Sequence, residues 1–272
     1  MDLNGATAII TGAARGIGKG IALTYASRGA RVALVDVLAD ALQQTAREIT
    51  VAGGVALAVP TDTTARQQVE AMVTQVGSEL GTPDILVNCA GRLSTIGPTW
   101  EVDPERWFDD VTTNLYGTFL CCRTIVGGMA ARGRGYVLNL VGGGVDDPHA
   151  YTTAYACSKV GVLRLTEALA KEVEPFGVKV FALQPPAVRT AMTEFIAQSP
   201  EGRQWRPEFA AYLERDSIQA LESIVGLALQ LVSGKADALS GRYLESRWDL
   251  DAVLKGADAI IRDDRLTLRI RR

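Results

Sequence analysis

Tyr155 and Lys159 are the residues of this 272-residue chain whose types and spacing best suit proton transfer. They lie four positions apart in a segment with a helical pattern, so their side chains share one face. A tyrosine hydroxyl has an ordinary pKa of about 10, and a neighbouring ammonium group stabilises its phenolate. The pair therefore predicts a general acid and base acting on a substrate oxygen. Taken alone, the two residues could equally be a surface pair.

The segment TGAARGIG, from Thr11 to Gly18, has the composition of a phosphate-binding turn. It follows an apolar strand-like run and precedes a helical pattern. Gly12, Gly16 and Gly18 permit a tight turn and let backbone N–H groups approach a pyrophosphate at the helix N-terminus. The segment therefore predicts a dinucleotide site.

Asp36 ends the second predicted strand, where an acid hydrogen-bonds the ribose hydroxyls of a dinucleotide and repels a 2′-phosphate. The alternative role of Asp36 is a helix N-cap. Arg15, inside the glycine turn, argues weakly for a phosphate. One carboxylate in the ribose pocket interacts with a charge about 4 Å away by roughly 4 kcal/mol, so the sequence predicts NAD rather than NADP.

Short apolar runs alternate with longer helical patterns along the chain. The predicted strands are 6–10, 31–35, 55–59, 84–88, 135–141, 178–184 and 242–245. The predicted helices lie near 16–28, 39–52, 64–80, 104–131, 153–175 and 217–233. Continuous apolar strands separated by helices predict an α/β, Rossmann-type, doubly wound parallel sheet of about seven strands with helices on both faces.

Residues 5 to 246 resemble the short-chain dehydrogenase/reductase family. The motifs that carry the resemblance are the turn at Thr11 to Gly18, Asp62 after the third strand, NCAG at 88 to 91, Asn114, Tyr155 with Lys159, and PPAVRT at 185 to 190. The resemblance implies a nicotinamide cofactor, hydride transfer between an alcohol and a ketone, and a homodimer or homotetramer.

The resemblance also assigns roles to individual residues. The implied catalytic residues are Tyr155, Lys159 and Asn114, and the implied cofactor residues are Thr11, Gly12, Arg15, Gly16, Ile17, Gly18, Asp36, Asp62, Asn88, Ala90, Gly91, Tyr155, Lys159, Val188 and Thr190. Within this set Asp62 would contact adenine, and Asn88 and Ala90 the ribose side. Val188 and Thr190 would contact the carboxamide, Lys159 the ribose, and Asn114 a relay water.

The chain departs from the family pattern where a serine would hydrogen-bond the substrate oxygen, because that position is Gly142. Three possibilities are open. The backbone N–H groups of Gly142, Gly143 and Gly144 could donate; a side chain among Thr152, Thr153 and His149 could take over; or catalysis could be weak or lost. Gly142, Gly143 and His149 are therefore the candidate substrate residues, and Gly142→Ser is expected to raise activity. Cys89 within NCAG and Pro186 within PPAVRT are lesser departures from the family pattern.

Two segments interrupt the alternation. Residues 190–216 carry Phe195, Trp205, Phe209 and Tyr212, and are expected to be a substrate lid, with a packed helical excursion as the alternative. Residues 247–272 follow the single predicted catalytic domain, 1–246, as a C-terminal extension that is either solvated or docked on another subunit.

The composition excludes several classes of function. A net charge of −3 gives no general attraction for polyanions, so nucleic acid is not an expected partner. No apolar run reaches the length of about 18 residues that spans a bilayer. Four cysteines in apolar segments without metal-site spacing, and an N-terminus without a basic leader, predict a cytoplasmic protein with reduced thiols. A non-catalytic nucleotide-binding protein is the alternative to the enzyme.

Overall fold

The computed structural model describes residues 1–213 and 217–270 and contains one seven-stranded parallel sheet with the strand order β3-β2-β1-β4-β5-β6-β7. The strands are β1 Thr7–Thr11, β2 Arg31–Asp36, β3 Val55–Pro60, β4 Ile85–Asn88, β5 Gly135–Leu140, β6 Val178–Gln184 and β7 Tyr243–Glu245. This architecture confirms the expected fold class. The order reverses between β1 and β4, where ligands bind in sheets of this type.

Helices cover both faces of the sheet, so successive strand residues enter different cores. Ile9 packs with Met72 and Met129 on one face, and Ile10 packs with Ile21 on the other. The helices are α1 Gly16–Ser27, α2 Ala39–Val51, α3 Arg66–Glu79, α4 Pro104–Val111, α5 Gly117–Ala131, α6 Thr153–Val173, α7 Ala191–Gln198, α8 Pro200–Trp205, α9 Glu208–Leu213, α10 Ser217–Val232, α11 Leu250–Lys255 and α12 Ala257–Arg262. Burial on both faces explains why the central strands are continuously apolar.

The predicted helix over 104–131 is interrupted by a π-helical turn at Thr112–Tyr116. Apolar periodicity alone predicts one helix, because a single wider turn barely alters the pattern. Asn114 lies inside this turn and is fully buried, and its side chain hydrogen-bonds two other segments. These buried hydrogen bonds stabilise the irregular turn, and such turns are frequent at functional sites.

The segment 190–213 forms α7, α8 and α9, and residues 214–216 of the expected lid lie outside the described part, as does the side chain of Tyr212. Trp205 and Phe209 pack against a cluster formed by Leu93, Ile96 and Ile196, and Tyr155 packs against the same cluster. The segment therefore packs on the same apolar cluster as the predicted proton-transfer residue, and whether it acts as a lid stays a prediction.

The C-terminal segment makes hydrogen bonds and ion pairs to the rest of its own chain as far as Arg269. The Leu266 carbonyl accepts the Tyr243 N–H at 2.9 Å, beside β7. Arg269 pairs with Glu167 on α6 at 3.2 Å. Within the described ranges, no helix has both the length and the apolar character needed to cross a membrane.

Candidate active site

A cleft of about 670 Å³ lies at the carboxyl ends of the strands around the switch point. Most of the predicted cofactor residues line it, namely Gly12, Arg15, Gly16, Ile17, Gly18, Asp36, Asp62, Ala90, Gly91, Tyr155, Lys159 and Thr190. The topology thus brings together residues that are up to 178 positions apart in sequence (190 − 12). The glycine turn lines one part of the cleft, and Tyr155 and Lys159 line another part.

The glycine turn is shaped by close backbone approaches. Gly12 has φ +68°, and a Cβ added there would lie 2.9 Å from the backbone nitrogen of Ala90. A Cβ on Gly18 would lie 2.2 Å from the Gly12 carbonyl oxygen. Glycine is required at both positions, because a larger residue would push the turn away from the cleft. Gly16 also has a positive φ, +59°, which favours glycine.

Asp36 lies at the edge of the cleft with its carboxylate held by backbone donors. It accepts the N–H groups of Ala14 at 3.2 Å and Leu38 at 3.1 Å. A carboxylate has about four acceptor sites, so two remain for hydroxyl groups in the cleft. The N-cap of α2 is Leu38, and thus the alternative role of Asp36 as an N-cap is not observed. Arg15 is exposed at the N-terminus of α1.

Some predicted cofactor residues support the cleft from behind instead of lining it. The hydroxyl of Thr11 accepts the N–H groups of Cys89 and Ala90, both at 3.0 Å. Asn88 is buried and donates to Asn139 at 2.8 Å. Val188 is also buried. The sequence motifs contain these positions, but the orientation of their side chains depends on tertiary contacts.

Asp62 and Thr190 line the cleft while their side chains also organise the local backbone. Asp62 accepts the Thr64 N–H at 2.9 Å and the Thr64 hydroxyl at 2.7 Å. Thr190 caps α7 through a reciprocal arrangement with Thr193. Thr190 contacts the glycine turn, since a Cβ on Gly16 would lie 3.1 Å from its methyl group. The segment 190–213 therefore begins directly against the glycine turn of the cleft.

Tyr155 and Lys159 share the cleft-facing side of α6, as their spacing predicts. The Lys159 ammonium lies 5.5 Å from the centre of the Tyr155 ring and donates to the Leu140 carbonyl at 2.9 Å. Burial lowers the pKa of Lys159 to about 8. Burial also raises the pKa of Tyr155 above its ordinary value, with the nearby Cys89 thiol acting in the same direction. The direction of the Tyr155 shift is therefore opposite to the lowering that a neighbouring ammonium would produce, and desolvation by burial is its largest cause.

Asn114 is fully engaged by protein partners and does not line the cleft. Its amide nitrogen donates to the Arg92 carbonyl at 2.9 Å and to the Ser158 hydroxyl at 3.0 Å, while its oxygen accepts the Arg92 N–H at 2.7 Å. A Cβ on Gly91 would lie 3.2 Å from this oxygen and 3.6 Å from the Lys159 nitrogen. Asn114 thus positions the loop after β4 beside Lys159.

Gly142 lies directly against Tyr155, and a Cβ added to it would be 2.1 Å from the tyrosine hydroxyl. The tyrosine therefore occupies the space that a serine side chain would need. Gly142→Ser would therefore displace the Tyr155 hydroxyl as well as add a donor, and its effect on activity stays a prediction. A Cβ on Gly143 would in turn lie 2.3 Å from the His149 ring, so the half-buried histidine packs on the next residue of the turn.

The sequence reasoning missed several cleft residues in the loops after β2, β3 and β4. They are Val37, Leu38, Thr61, Thr63, Thr64, Cys89 and Arg92, with Met192 contributed by α7. The rule that ligands bind beyond the carboxyl ends of the strands was a signal that could have found most of them. Their residue types carry no chemistry that would mark them individually.

A family model described as short chain dehydrogenase matches residues 6–201. The chain therefore belongs to the short-chain dehydrogenase/reductase family of oxidoreductases, which use a nicotinamide cofactor.

Individual relatives agree with this assignment. The chain is 34% identical to D-threitol dehydrogenase from Mycolicibacterium smegmatis over 74% of this chain and 76% of the relative. It is 32% identical to cis-4-hydroxycyclohexanecarboxylate dehydrogenase from Sinomonas cyclohexanicum over 87% and 95%, respectively. A solved short-chain dehydrogenase/reductase from Mycobacterium ulcerans superimposes with a TM-score of 0.81 at 27% identity, covering 90% of this chain and 89% of that one.

Proposed function

We propose that this protein is an NAD-dependent oxidoreductase that interconverts a secondary alcohol and the matching ketone, with Tyr155 as the acid and base. The observation that carries the proposal is the position of Tyr155. It lines the cofactor cleft and also packs against the apolar cluster of the lid. A proton-transfer group must face both the cofactor and the substrate, and Tyr155 does so.

The cleft residues fit a dinucleotide. The glycine turn leaves a cradle that a Cβ would fill, and Asp36 keeps two acceptor sites for the adenosine ribose hydroxyls. The Asp36 carboxylate would repel a 2′-phosphate, which favours NAD over NADP. When bound, the nicotinamide would supply or accept the hydride. Val188 and Thr190 remain the proposed neighbours of its carboxamide.

Tyr155 is poised to give a proton. Because burial raises its pKa, the hydroxyl is protonated at neutral pH and suits ketone reduction. Lys159 is the nearby cation that would stabilise the phenolate left behind. Asn114 would act by holding the loop after β4, and the relay water implied by the family remains a proposal.

The side chains around Tyr155 favour a substrate with an apolar body over a polyol. Leu93, Ile96 and Ile196 are buried together, and Met192 and Phe209 pack on them. Residues 190–216 would act as the lid that admits the substrate to this cluster. The catalytic domain would be 1–246, with 247–272 as its extension.

The remaining proposals concern assembly and location. We propose a cytoplasmic homodimer or homotetramer that acts on a small molecule. An aromatic surface on α4, the π-helical turn and α5 supports the assembly, because Phe108, Tyr116 and Phe119 are exposed and the last two rings lie 6.1 Å apart. Light scattering on the parent and on Phe108→Ser measures whether the loss of this exposed ring changes the oligomeric state.

A second candidate function is nucleotide binding without catalysis. The Gly142 contact favours it, since the position has no hydroxyl and no room for one while Tyr155 stays in place. The deciding experiment combines calorimetric titration of NADH and NADPH with fluorescence assays on a broad panel of ketones and alcohols. Turnover with NADH supports the oxidoreductase. Tight NADH binding without turnover on any substrate supports the second candidate.

A further inference from the structure

Arg206 follows α8 and carries a cation that is largely buried within the lid. Its side chain is 15% exposed, whereas the side chain of its ion-pair partner Glu208 is 63% exposed. The Arg206 Nε lies 2.7 Å from the Glu208 carboxylate. The carboxylate is thus at the protein surface, and the guanidinium is inside. Glu208 compensates part of this cation through Nε, which leaves the Nη1 and Nη2 groups for other acceptors.

Arg206 contacts the N-terminal end of α6, one helical turn before the proposed catalytic tyrosine. Its Nη1 lies 3.4 Å from the hydroxyl of Thr152, the residue immediately before α6, and Tyr155 is in the first turn of that helix. The guanidinium carbon lies 5.8 Å from the centre of the Phe209 ring. Phe209 packs on the apolar cluster that also contacts Tyr155. Phe209 therefore links the guanidinium to the apolar cluster that Tyr155 also contacts.

The protein uses only part of the donor capacity of Arg206. A guanidinium has five N–H donors in a planar fork. Among the described residues, its hydrogen-bond partners are Glu208, through Nε, and Thr152, through a long contact from Nη1. The outer edge formed by Nη1 and Nη2 is the edge that binds a carboxylate with two parallel hydrogen bonds.

The neighbouring His149 adds no competing positive charge at neutral pH. Its pKa is lowered by burial and by the charge of Arg206, although Asp146, Asp147 and Glu208 oppose this shift. The imidazole is neutral at pH 7 and can donate one further hydrogen bond. Of these two side chains, only the guanidinium therefore carries a positive charge at pH 7.

We infer that Arg206 is a specificity-determining residue that binds a carboxylate on the substrate, so that the substrate is a keto acid or hydroxy acid with an apolar spacer. The inference rests on the proposed function, since it places the reacting carbonyl at Tyr155. The spacer lies over Phe209 and its neighbours, and the carboxylate meets the Nη1–Nη2 edge. His149 becomes a contact for the acid group instead of a replacement for the absent serine.

The test is a comparison of charged and neutral substrates on the intact protein. Methyl-keto acids of increasing chain length, from 4-oxopentanoate to 8-oxononanoate, are each assayed with NADH beside their methyl esters. The parent is expected to prefer one acid over its ester by about 10- to 100-fold in kcat/KM, the value of a charge-assisted hydrogen-bond pair. The loss of that preference in Arg206→Gln, mainly through KM, is the expected effect of the variant.

Control variants distinguish carboxylate binding by Arg206 from a purely structural role in the lid. Arg203→Gln removes an exposed arginine of α8, three residues before Arg206, and should keep the preference for the acid. Arg206→Lys should keep part of the preference for the acid, because the positive charge remains while the planar pair of guanidinium donors is lost. NADH titration and thermal melting show that each variant is folded. Ester turnover without any preference for an acid in the parent overturns the inference while leaving the proposed function intact. Equal losses for acid and ester in Arg206→Gln also overturn it, because Arg206 would then only hold the lid closed.

Discussion

The cofactor side of the cleft is built from backbone, whereas the substrate side is built from side chains. On the cofactor side, Gly12 and Gly18 approach other backbone atoms so closely that no larger residue fits. On the substrate side, Tyr155 lies against Gly142 and packs on the apolar cluster that contains Leu93 and Ile196. Backbone contacts of this kind demand one residue type, while side-chain packing accepts many. The glycine turn accordingly keeps the family motif, whereas Gly142 beside Tyr155 departs from it.

The largest expected effect is on the substrate side. Tyr155→Phe removes only the proton-transfer hydroxyl, so turnover should fall by about 10²- to 10⁴-fold while NADH binding is retained. Single-turnover kinetics and NADH titration measure the two quantities. Parental turnover in the variant would remove Tyr155 from the mechanism, and the substrate side would then have no proton donor.

The matching test of the cofactor side is Gly18→Ala. The new methyl group would lie 2.2 Å from the Gly12 carbonyl oxygen, so the turn must move and NADH affinity should fall by more than about tenfold. Gly77→Ala is the matched control, because it adds a methyl group to an exposed position of α3 with no atom within 4 Å. It should stabilise the fold by up to about 1 kcal/mol. Unchanged NADH affinity in Gly18→Ala would show that the turn is not constrained by backbone contact.

Two variants at Gly142 separate side-chain packing from hydrogen bonding on the substrate side. Gly142→Ala and Gly142→Ser both add a Cβ that collides with the Tyr155 hydroxyl, and only the second adds a donor. Both variants are expected to lose activity to a similar extent, because displacement of Tyr155 is the dominant effect. A kcat/KM for the serine variant that exceeds that of the alanine variant by about 10² would instead show that the hydroxyl was missing after all.

Asp36 tests whether charge on the cofactor side sets the choice of nucleotide. Asp36→Asn should narrow the preference for NAD over NADP by at least about tenfold, because it removes the repulsion of a 2′-phosphate. Arg15→Gln should change the preference in the opposite direction, since it removes a cation that would favour the phosphate. Calorimetry with both nucleotides measures each change. An equal loss of both affinities in Asp36→Asn would indicate a structural role for the carboxylate.

The smallest expected effect is the pH dependence set by Lys159. Burial lowers its pKa from 10.5 to about 8, so the ammonium is present below pH 8 and lost above it. The kcat/KM for ketone reduction should decline by up to about tenfold as the pH rises through this value. Between pH 8 and 10.5 the unfolded chain holds a proton that the folded chain lacks, so this group makes the fold more stable as the pH rises. A flat rate profile across pH 8 would show that the lysine charge is not needed for turnover.

Much of the fold and part of the site could be predicted from local patterns. All seven strands lie within one or two residues of their predicted ends, because buried parallel strands are continuously apolar and are bounded by turns. The glycine turn was equally predictable, since a positive φ or a close backbone approach admits little besides glycine. The position of Asp36 in the cleft was predictable from its place at the end of β2.

Other features depend on contacts between distant segments. The π-helical turn at Thr112–Tyr116 leaves the apolar periodicity almost intact and is stabilised by hydrogen bonds from Asn114 to other parts of the chain. The buried orientation of Asn88 depends on Asn139, a residue of the neighbouring strand β5. The docking of the C-terminal segment on α6 depends on charge pairs such as Arg269 with Glu167.

The sequence by itself determined the parallel sheet, the glycine turn and the helical spacing of Tyr155 and Lys159, because each follows from the steric and hydrogen-bonding needs of a few neighbouring residues. Only the tertiary structure decided how those groups behave. It placed the Tyr155 hydroxyl in the space beside Gly142, and it raised the pKa of that tyrosine by desolvating it. It also enclosed Arg206 near α6. Desolvation and steric exclusion depend on everything that surrounds a group, and that environment exists only when the chain is folded.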